Sequence, residues 1–147
     1  MIMRKHMILG FLMGVAYFTL EGLWKGWTNI AMLFIGGLCA VLIGQLNDYP
    51  KYFKLKVWQQ TLIGTGIILI IEFTSGMILN LGFGMHLWDY SHTWGNLYGQ
   101  ICVPYAFLWM ILVPACIWLD DWLSWRLYGE GTPYRLRDNY FELITNR

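Results

Sequence analysis

Long apolar blocks constrain this chain more than any other feature of its sequence. Four predominantly apolar stretches occupy residues 7–24, 29–46, 57–82 and 101–119, with short polar segments between them. A helix needs about 20 such residues to cross the hydrocarbon core of a membrane. The apolar residues come in blocks and not in the one-sided stripes of a water-soluble helix. The pattern predicts an all-α integral membrane bundle of four transmembrane helices.

Composition agrees with this class. The chain is 57% hydrophobic and 13% charged, whereas a soluble domain carries about 25% charged residues. Its 147 residues suffice for one domain. We predict a transmembrane domain over residues 1–128, with an interfacial segment at 120–128, and a cytoplasmic tail over residues 129–147. The net charge of +1 averages over both sides of a membrane, and we expect the lipid bilayer, not nucleic acid, as the partner.

Basic residues predict the orientation of the bundle. They precede the first span, lie between the second and third, and follow the fourth, whereas residues 83–100 contain no Lys or Arg and the first turn contains only Lys25. The residues concerned are Arg4, Lys5, Lys51, Lys54, Lys56, Arg126, Arg135, Arg137 and Arg147. Because Lys and Arg are enriched in cytoplasmic segments, we predict a multi-pass protein of the cell membrane with both termini cytoplasmic. No small-x-small cleavage site follows the first span, so we expect that span to be retained.

Small or polar residues gather on one face of three predicted helices. The faces comprise Gly10, Gly14, Tyr17 and Glu21 in the first helix, Gly36, Ala40 and Gly44 in the second, and Thr61, Thr65, Glu72, Ser75 and Gly76 in the third. Small residues let helices approach closely within a membrane, so we expect these faces to turn inward. Pro114 lies inside the fourth span, where it should kink the helix and free a backbone carbonyl.

Two acids lie deep in the predicted spans. Glu21 and Glu72 follow the starts of their helices by about 14 and 15 residues, which places both about 20 Å from the cytoplasmic side. Lys25 follows Glu21 by one turn and is a candidate partner. A carboxylate at the depth of Glu72 costs several kcal/mol. Glu72 has no cation on its own helix, so it is either protonated or bound by groups from elsewhere, with loop amides, Tyr90 and Trp88 as structural alternatives.

The run Trp88-Asp89-Tyr90-Ser91 is the most distinctive short sequence in the chain, and its loop is expected to cover the two acids. Asp89 and Ser91 are alternatively ordinary turn residues. The aromatic residues form either a cage for a quaternary ammonium group or an interfacial belt. His86, Asp89 and His92 have a spacing that admits zinc, but no fourth ligand is evident. We expect no metal and no cofactor.

Several of these residues occur in the same order in one known family. Glu72-Phe73-Thr74-Ser75-Gly76, the Trp88 to Ser91 run, Asn96, Gly99, Ile101-Cys102 and Trp109 together resemble the signature of the ABC-transporter type IV (CmpB-like) membrane family, and Glu21 matches an acid of its first helix. The resemblance is strongest over residues 70–110. Residues 25–44 depart from the family's Arg-Gly-Phe-x-x-Gly-Pro and Tyr-Gly pattern, which indicates a divergent member. The resemblance implies a transport-related membrane protein with Asn96 as a further site residue, although the chain has no nucleotide-binding P-loop.

Three functional hypotheses follow. The first is a transporter or permease-like protein whose buried acidic site, centred on Glu21, Glu72 and Asp89, handles a proton, a cation or a small substrate. The residues assigned to binding are Glu21, Glu72, Ser75, Trp88, Asp89, Tyr90, Ser91 and Asn96. The second is a non-catalytic scaffold or subunit whose small-residue faces pack against a partner membrane subunit or a second copy. The third is an intramembrane enzyme that uses Asp89 with His86 or His92 at a lipid headgroup, although we expect no enzymatic activity.

Overall fold

Long helices dominate the structure. The computed structural model describes residues 1–48 and 54–146. The helices are α1 (Ile2–Lys25), α2 (Ile30–Asp48), α3 (Val57–Gly76), α4 (Val103–Tyr128) and α5 (Leu136–Thr145), and a π-helical turn, Met77–Gly82, extends α3. Within the described residues, four of these segments are long and apolar enough to cross a membrane: α1, α2, α3 with its extension, and α4. The predicted all-α bundle of four spans is therefore confirmed. Lys51 and Arg147, which contribute to the predicted orientation, lie outside the described residues.

The observed helix boundaries differ from the predicted spans. α1 begins at Ile2 and not at residue 7. The segment 120–128, predicted as a separate interfacial stretch, continues α4 without a break as far as Tyr128, and Gly129 ends the helix with a left-handed φ of 66°. Hydropathy marks where a helix leaves an apolar environment. It does not mark where the helix ends, because charged residues propagate a helix as readily as most apolar ones.

Glycines bring α1 and α2 into close contact. Gly10, Gly14 and Gly36 belong to the predicted small-residue faces, whereas Gly37 was not predicted. A Cβ atom placed on Gly37 would lie 2.5 Å from the backbone oxygen of Gly10, and one placed on Gly14 would overlap the backbone oxygen of Leu33. Gly36 leaves room for the ring of Tyr17 in the same way. The small-residue faces of the first two helices thus pack within the chain at these glycines.

Two buried apolar clusters hold the bundle at different depths. Their members are Ile43, Val113 and Ile117 on α2 and α4, and Met32, Leu87 and Trp88 on α2 and the loop after residue 82. On α3, the predicted polar face is also turned inward, since Thr61, Thr65 and Glu72 are buried. The bundle therefore encloses polar atoms together with these apolar clusters, and it leaves many other large apolar side chains on the outside, as expected for a protein surrounded by lipid.

The C-terminal segment packs back onto the bundle. Asn139 of α5 is buried and donates a hydrogen bond from Nδ2 to the carbonyl of Pro114 at 3.0 Å. Tyr140 donates its hydroxyl to the carbonyl of Ile111 at 2.6 Å. A proline inside a helix leaves the carbonyl four residues before it, here that of Met110, without its helical donor. Helix α5 docks beside that point through bonds to the carbonyls of Ile111 and Pro114, so the segment predicted as a polar tail is a structural element of the bundle.

Candidate functional site

The loop between α3 and α4, residues 83–102, closes one end of the bundle and is called the cap below. Asn80, in the π-helical turn, is its central anchor. Its Nδ2 donates to the Trp88 carbonyl at 3.1 Å and to Gln100 Oε1 at 2.9 Å, while its Oδ1 accepts from the Leu87 amide at 2.7 Å. π-helical turns occur often at functional sites. Here the turn directs the side-chain amide of Asn80 into the cap, where both its nitrogen and its oxygen form hydrogen bonds.

Trp88 is inserted into the bundle and is only 7% exposed. Its indole N–H donates to the Gln100 carbonyl at 3.0 Å, and its ring packs with Met32 and Leu87. Gly76 makes room for this arrangement, because a Cβ atom there would overlap the side-chain oxygen of Gln100. The buried side chain of Trp88 therefore anchors the cap to the bundle. Trp88 does not belong to an interfacial aromatic belt.

Asp89, Ser91 and Asn96 lie on the exposed side of the cap and shape its turns. Asp89 Oδ1 accepts from the Ser91 amide at 2.8 Å, and this backbone hydrogen bond is the largest cause that lowers the pKa of Asp89. Asn96 accepts from the Gly99 amide at 3.0 Å and donates to the Thr93 carbonyl at 3.0 Å. Among the described residues these three predicted site residues form no hydrogen bond to Glu21 or Glu72, and their contacts match the turn interpretation.

Glu72 lies beneath the cap, 8% exposed, with a donor on each carboxylate oxygen. Tyr90 donates its hydroxyl to Oε1 at 3.0 Å, and Trp109 donates its indole N–H to Oε2 at 3.1 Å. Tyr90 was one of the predicted donors. Trp88 was another and instead bonds Gln100, whereas Trp109 was not predicted as a donor. Burial, followed by the charge of Glu72, raises the pKa of Tyr90, which keeps its hydroxyl a donor.

Aromatic rings form a continuous wall around this carboxylate. The ring centroids of Tyr17 and Trp109 are 6.1 Å apart, those of Trp109 and Tyr105 are 6.2 Å apart, and those of Tyr105 and Tyr90 are 4.7 Å apart and stacked. α1, α4 and the cap all contribute to the wall. It excludes bulk water from Glu72 on those sides and fixes both of the donors.

A small cavity borders Glu72. Its volume is about 60 Å³, and Tyr17, Cys39, Trp88 and Trp109 are among the residues that line it. A buried water needs about 10–15 Å³ of such space, so the cavity accommodates a few waters or a small cation. Pockets for organic ligands measure about 300–1,000 Å³. The space beside Glu72 is well below that range.

Glu21 occupies a separate position nearer the end of α1. As predicted, Lys25 pairs with it, at 3.1 Å, and Thr28 donates to its other carboxylate oxygen at 2.5 Å. Lys25 also donates to the Leu87 carbonyl of the cap at 2.9 Å. Both acids are thus tied to the cap, but through different residues, and Glu21 is not among the residues that line the cavity beside Glu72.

The remaining predicted residues take other roles. Ser75 donates its hydroxyl to the Ile71 carbonyl of its own helix at 2.6 Å and has no hydrogen bond to the Glu72 carboxylate among the described residues. His86 and His92, like Asp89, are exposed. Sequence reasoning missed Asn80, Gln100 and Trp109. The one sequence feature that could have indicated Trp109 is that the family signature contains both this tryptophan and Glu72.

Four apolar spans, closed at one end by a cap held on buried polar side chains, define a small multi-pass membrane protein. A family model described as Putative ABC-transporter type IV matches residues 5–129, and the chain belongs to that family. The match includes residues 25–44, where the sequence departs from the expected pattern. A search of the curated proteins and a search of the solved structures found no match.

Proposed function

We propose that this chain is a membrane component of a transport system in which Glu72 binds a proton or a small monovalent cation beneath the cap. One observation carries the proposal. Glu72 is buried within a membrane span, and in the part of the chain that the structure describes both of its hydrogen-bond donors are neutral. The family supplies the transport context.

The size and polarity of the site favour a proton or small cation over an organic substrate. A carboxylate within a membrane costs several kcal/mol without a compensating charge. Tyr90 and Trp109 reduce that cost by hydrogen bonding but add no positive charge. The adjoining cavity of about 60 Å³ leaves room for a desolvated ion or a few waters. A bound proton or cation would supply the missing charge.

Exchange of that ligand requires the cap to move. Tyr90, which bonds one oxygen of Glu72, belongs to the cap, whereas Trp109, which bonds the other, belongs to α4. Displacing the cap would break the first bond and keep the second. We therefore propose that Glu72 exchanges its ligand at the cap end, with the Tyr90 hydroxyl as the contact that couples binding to cap position.

The proposed orientation places the cap outside the cell membrane and both termini in the cytoplasm. The basic residues of the chain support it. The bond between Lys5 and Glu130 also brings the N-terminal residues and the end of α4 to one end of the bundle. Reporter domains fused after residue 147 and inserted in the cap should show cytoplasmic and external activity, respectively. The reverse pattern would overturn this orientation.

The hydrogen bonds that Glu72 already accepts favour a second function. Both carboxylate oxygens already have donors within the chain, so the acid could serve only to join the cap, α3 and α4 in a non-catalytic scaffold or subunit. In this alternative, transport would be carried out by a partner. Because the chain has no P-loop, a partner would also have to supply any ATP hydrolysis. We propose no enzymatic activity for either function.

The two functions differ in how the protein responds to protons and cations. Purified protein in detergent is unfolded thermally over a range of pH and in Na⁺, K⁺ or NH₄⁺ at constant ionic strength. A ligand that binds only the folded state raises the unfolding temperature. If Glu72 binds the proton or cation, the wild type should show this response and Glu72→Gln should lose it. Glu142→Gln, which changes an exposed acid, is the matched control.

Two results would decide against the proposed function. One is the same response in the wild type and in Glu72→Gln. The other is a wild type that shows no response while Glu72→Gln is strongly destabilised, which is the result expected of the scaffold. As a direct measurement, proteoliposomes with an entrapped pH indicator should show proton flux under a K⁺ diffusion potential for the wild type and not for Glu72→Gln.

A further inference from the structure

Three acids converge at the end of the bundle opposite the cap. Asp48 is the last residue of α2, and Asp120 and Asp121 lie on α4. One carboxylate oxygen from each lies within 4.8 Å of those of the other two. Asp48 and Asp120 are 72 positions apart in the sequence, so no local motif indicates this cluster, and it was not predicted.

Asp120 is the unusual member of the cluster. It is 3% exposed, and among the described residues its Oδ2 has no hydrogen-bond partner. Buried polar atoms of this kind are rare, because an unsatisfied charged group costs more than the about 1–3 kcal/mol of a neutral one. Ser124 Oγ, one turn further along the same face of α4, is also buried without a partner in the described part of the chain.

The fold brings the Asp120 carboxylate directly against α2. A Cβ atom on Gly44 would overlap the carboxylate of Asp120. The absence of a side chain at Gly44 is therefore what admits the acid between the two helices. The Asp120 carboxylate therefore lies between α2 and α4. It is not exposed to solvent at the end of a helix.

Lys5 neutralises neighbouring acids but does not reach Asp120. Its Nζ lies 2.5 Å from Glu130 Oε2 and 3.9 Å from Asp48 Oδ2. The first of these is a direct hydrogen bond. The second is at the limit of an ion pair. The charge of Asp120 is thus left without a direct cationic partner among residues 1–48 and 54–146.

We propose that Asp48, Asp120 and Asp121 bind a hard divalent cation, Mg²⁺ or Ca²⁺, that joins the end of α2 to α4. Both ions prefer carboxylate oxygens. Two ligands of one ion are separated by at most twice the ion–oxygen distance, which is about 4.2 Å for Mg²⁺ and about 4.8 Å for Ca²⁺. The three oxygens lie within 4.8 Å of one another, so small side-chain movements would bring all of them onto one ion of either kind.

The neighbours of Asp121 support this assignment. Its Oδ2 accepts hydrogen bonds from Asn47 Nδ2 at 2.7 Å and from the Tyr134 hydroxyl at 2.6 Å. Hydrogen bonds of this kind hold a carboxylate in position, and their loss typically weakens metal binding by about 10- to 100-fold. Because Tyr134 precedes α5, the proposed ion would also stabilise the return of the C-terminal segment to the bundle.

Terbium luminescence tests the proposal directly. Tb³⁺ takes the same oxygen ligands as Ca²⁺ and is excited through nearby indoles, which Trp118 and Trp122 supply on either side of Asp120. We expect a saturable Tb³⁺ signal from the full-length wild type that excess Ca²⁺ or Mg²⁺ displaces. Asp120→Asn should weaken binding by at least about tenfold. Ca²⁺ or Mg²⁺ should also raise the unfolding temperature of the wild type.

Matched variants keep the test decisive. Asp48 is exposed, so Asp48→Asn should fold even if Asp120→Asn does not, and it should also weaken binding. Glu142→Gln should bind as the wild type does. The proposal is overturned if the folded wild type gives no saturable signal, or if both Asp→Asn variants bind as tightly as it does. It is also overturned if the wild type is insensitive to ions and Lys5→Met alone destabilises it, because Lys5 would then neutralise the cluster.

Discussion

The indole N–H of Trp109 donates to Oε2 of Glu72 at 3.1 Å, and this bond joins α4 to α3 across 37 residues of sequence. Tyr90 bonds the other carboxylate oxygen from the cap. One buried acid thus connects two spans and the loop between them. A carboxylate suits this junction, because its two oxygens accept donors from two directions and charge-assisted hydrogen bonds are stronger than neutral ones.

Trp109→Phe should destabilise the protein more than an exposed Trp→Phe change. The ring is retained, but Glu72 loses one of its two donors, and an unsatisfied buried charge costs about 1–3 kcal/mol or more. Trp94→Phe is the control, since Trp94 is 75% exposed. Thermal or denaturant unfolding in detergent measures the difference. Equal stability of the two variants would show that the Trp109 bond contributes nothing to folding.

Tyr90→Phe should loosen the cap while the four spans stay folded. The variant removes only the hydroxyl that bonds Glu72 Oε1. Hydrogen exchange should therefore accelerate at cap amides, above all at Tyr90 and Leu87, with little change in α1 and α2. Tyr98→Phe serves as the control because Tyr98 is 70% exposed. Unchanged exchange in the cap would mean that Asn80 and Gln100 hold it without help from Tyr90.

Asn80→Ala should be the most damaging single change in the cap. It leaves the Leu87 amide and the Trp88 carbonyl, both of which bond the Asn80 side chain, without their partners in a buried position. Each such loss costs about 1–3 kcal/mol. Asn96→Ala removes a similar number of hydrogen bonds, but two of them lie on the exposed surface, where water replaces them, so it should cost less. The same unfolding measurement compares them, and a ranking in the opposite order would contradict this account.

The parts of the fold that could be predicted depend on periodicity within one helix. Apolar blocks gave the four spans, and angular spacing gave the inward faces that include Gly10, Thr61 and Glu72. The pairing of Glu21 with Lys25 was predictable because both residues lie one turn apart on one helix. Each of these signals is local, so a single sequence contains it.

The parts that could not be predicted depend on contacts between distant segments. Trp109 was identifiable as an aromatic residue in a span, but nothing in its own neighbourhood indicates that it faces Glu72. Asn80 and Gln100 lie 20 residues apart and meet only when the cap folds. The docking of α5 was hidden for the same reason, because the Asn139 partner is a backbone carbonyl of α4 and backbone acceptors have no sequence signature.

Gly37→Ala should destabilise the bundle although alanine is the better helix former. The added methyl group would lie 2.5 Å from the backbone oxygen of Gly10, and backbone cannot move aside without separating α1 from α2. Overpacking of this kind costs about 1–3 kcal/mol. Gly66→Ala on α3 is the matched control, since no atom of a neighbouring residue lies within 4 Å of its added Cβ.

The two glycine variants therefore separate helix propensity from helix packing. Propensity alone would favour alanine at either position by about 1 kcal/mol, so Gly66→Ala should be neutral or stabilising. Only the packing contact with α1 makes Gly37→Ala destabilising, which is opposite to the change in stability expected from helix propensity. Thermal unfolding of both variants in the same detergent measures that sign. Stabilisation by Gly37→Ala would show that α1 and α2 are not in contact at Gly10 and Gly37 in the folded protein.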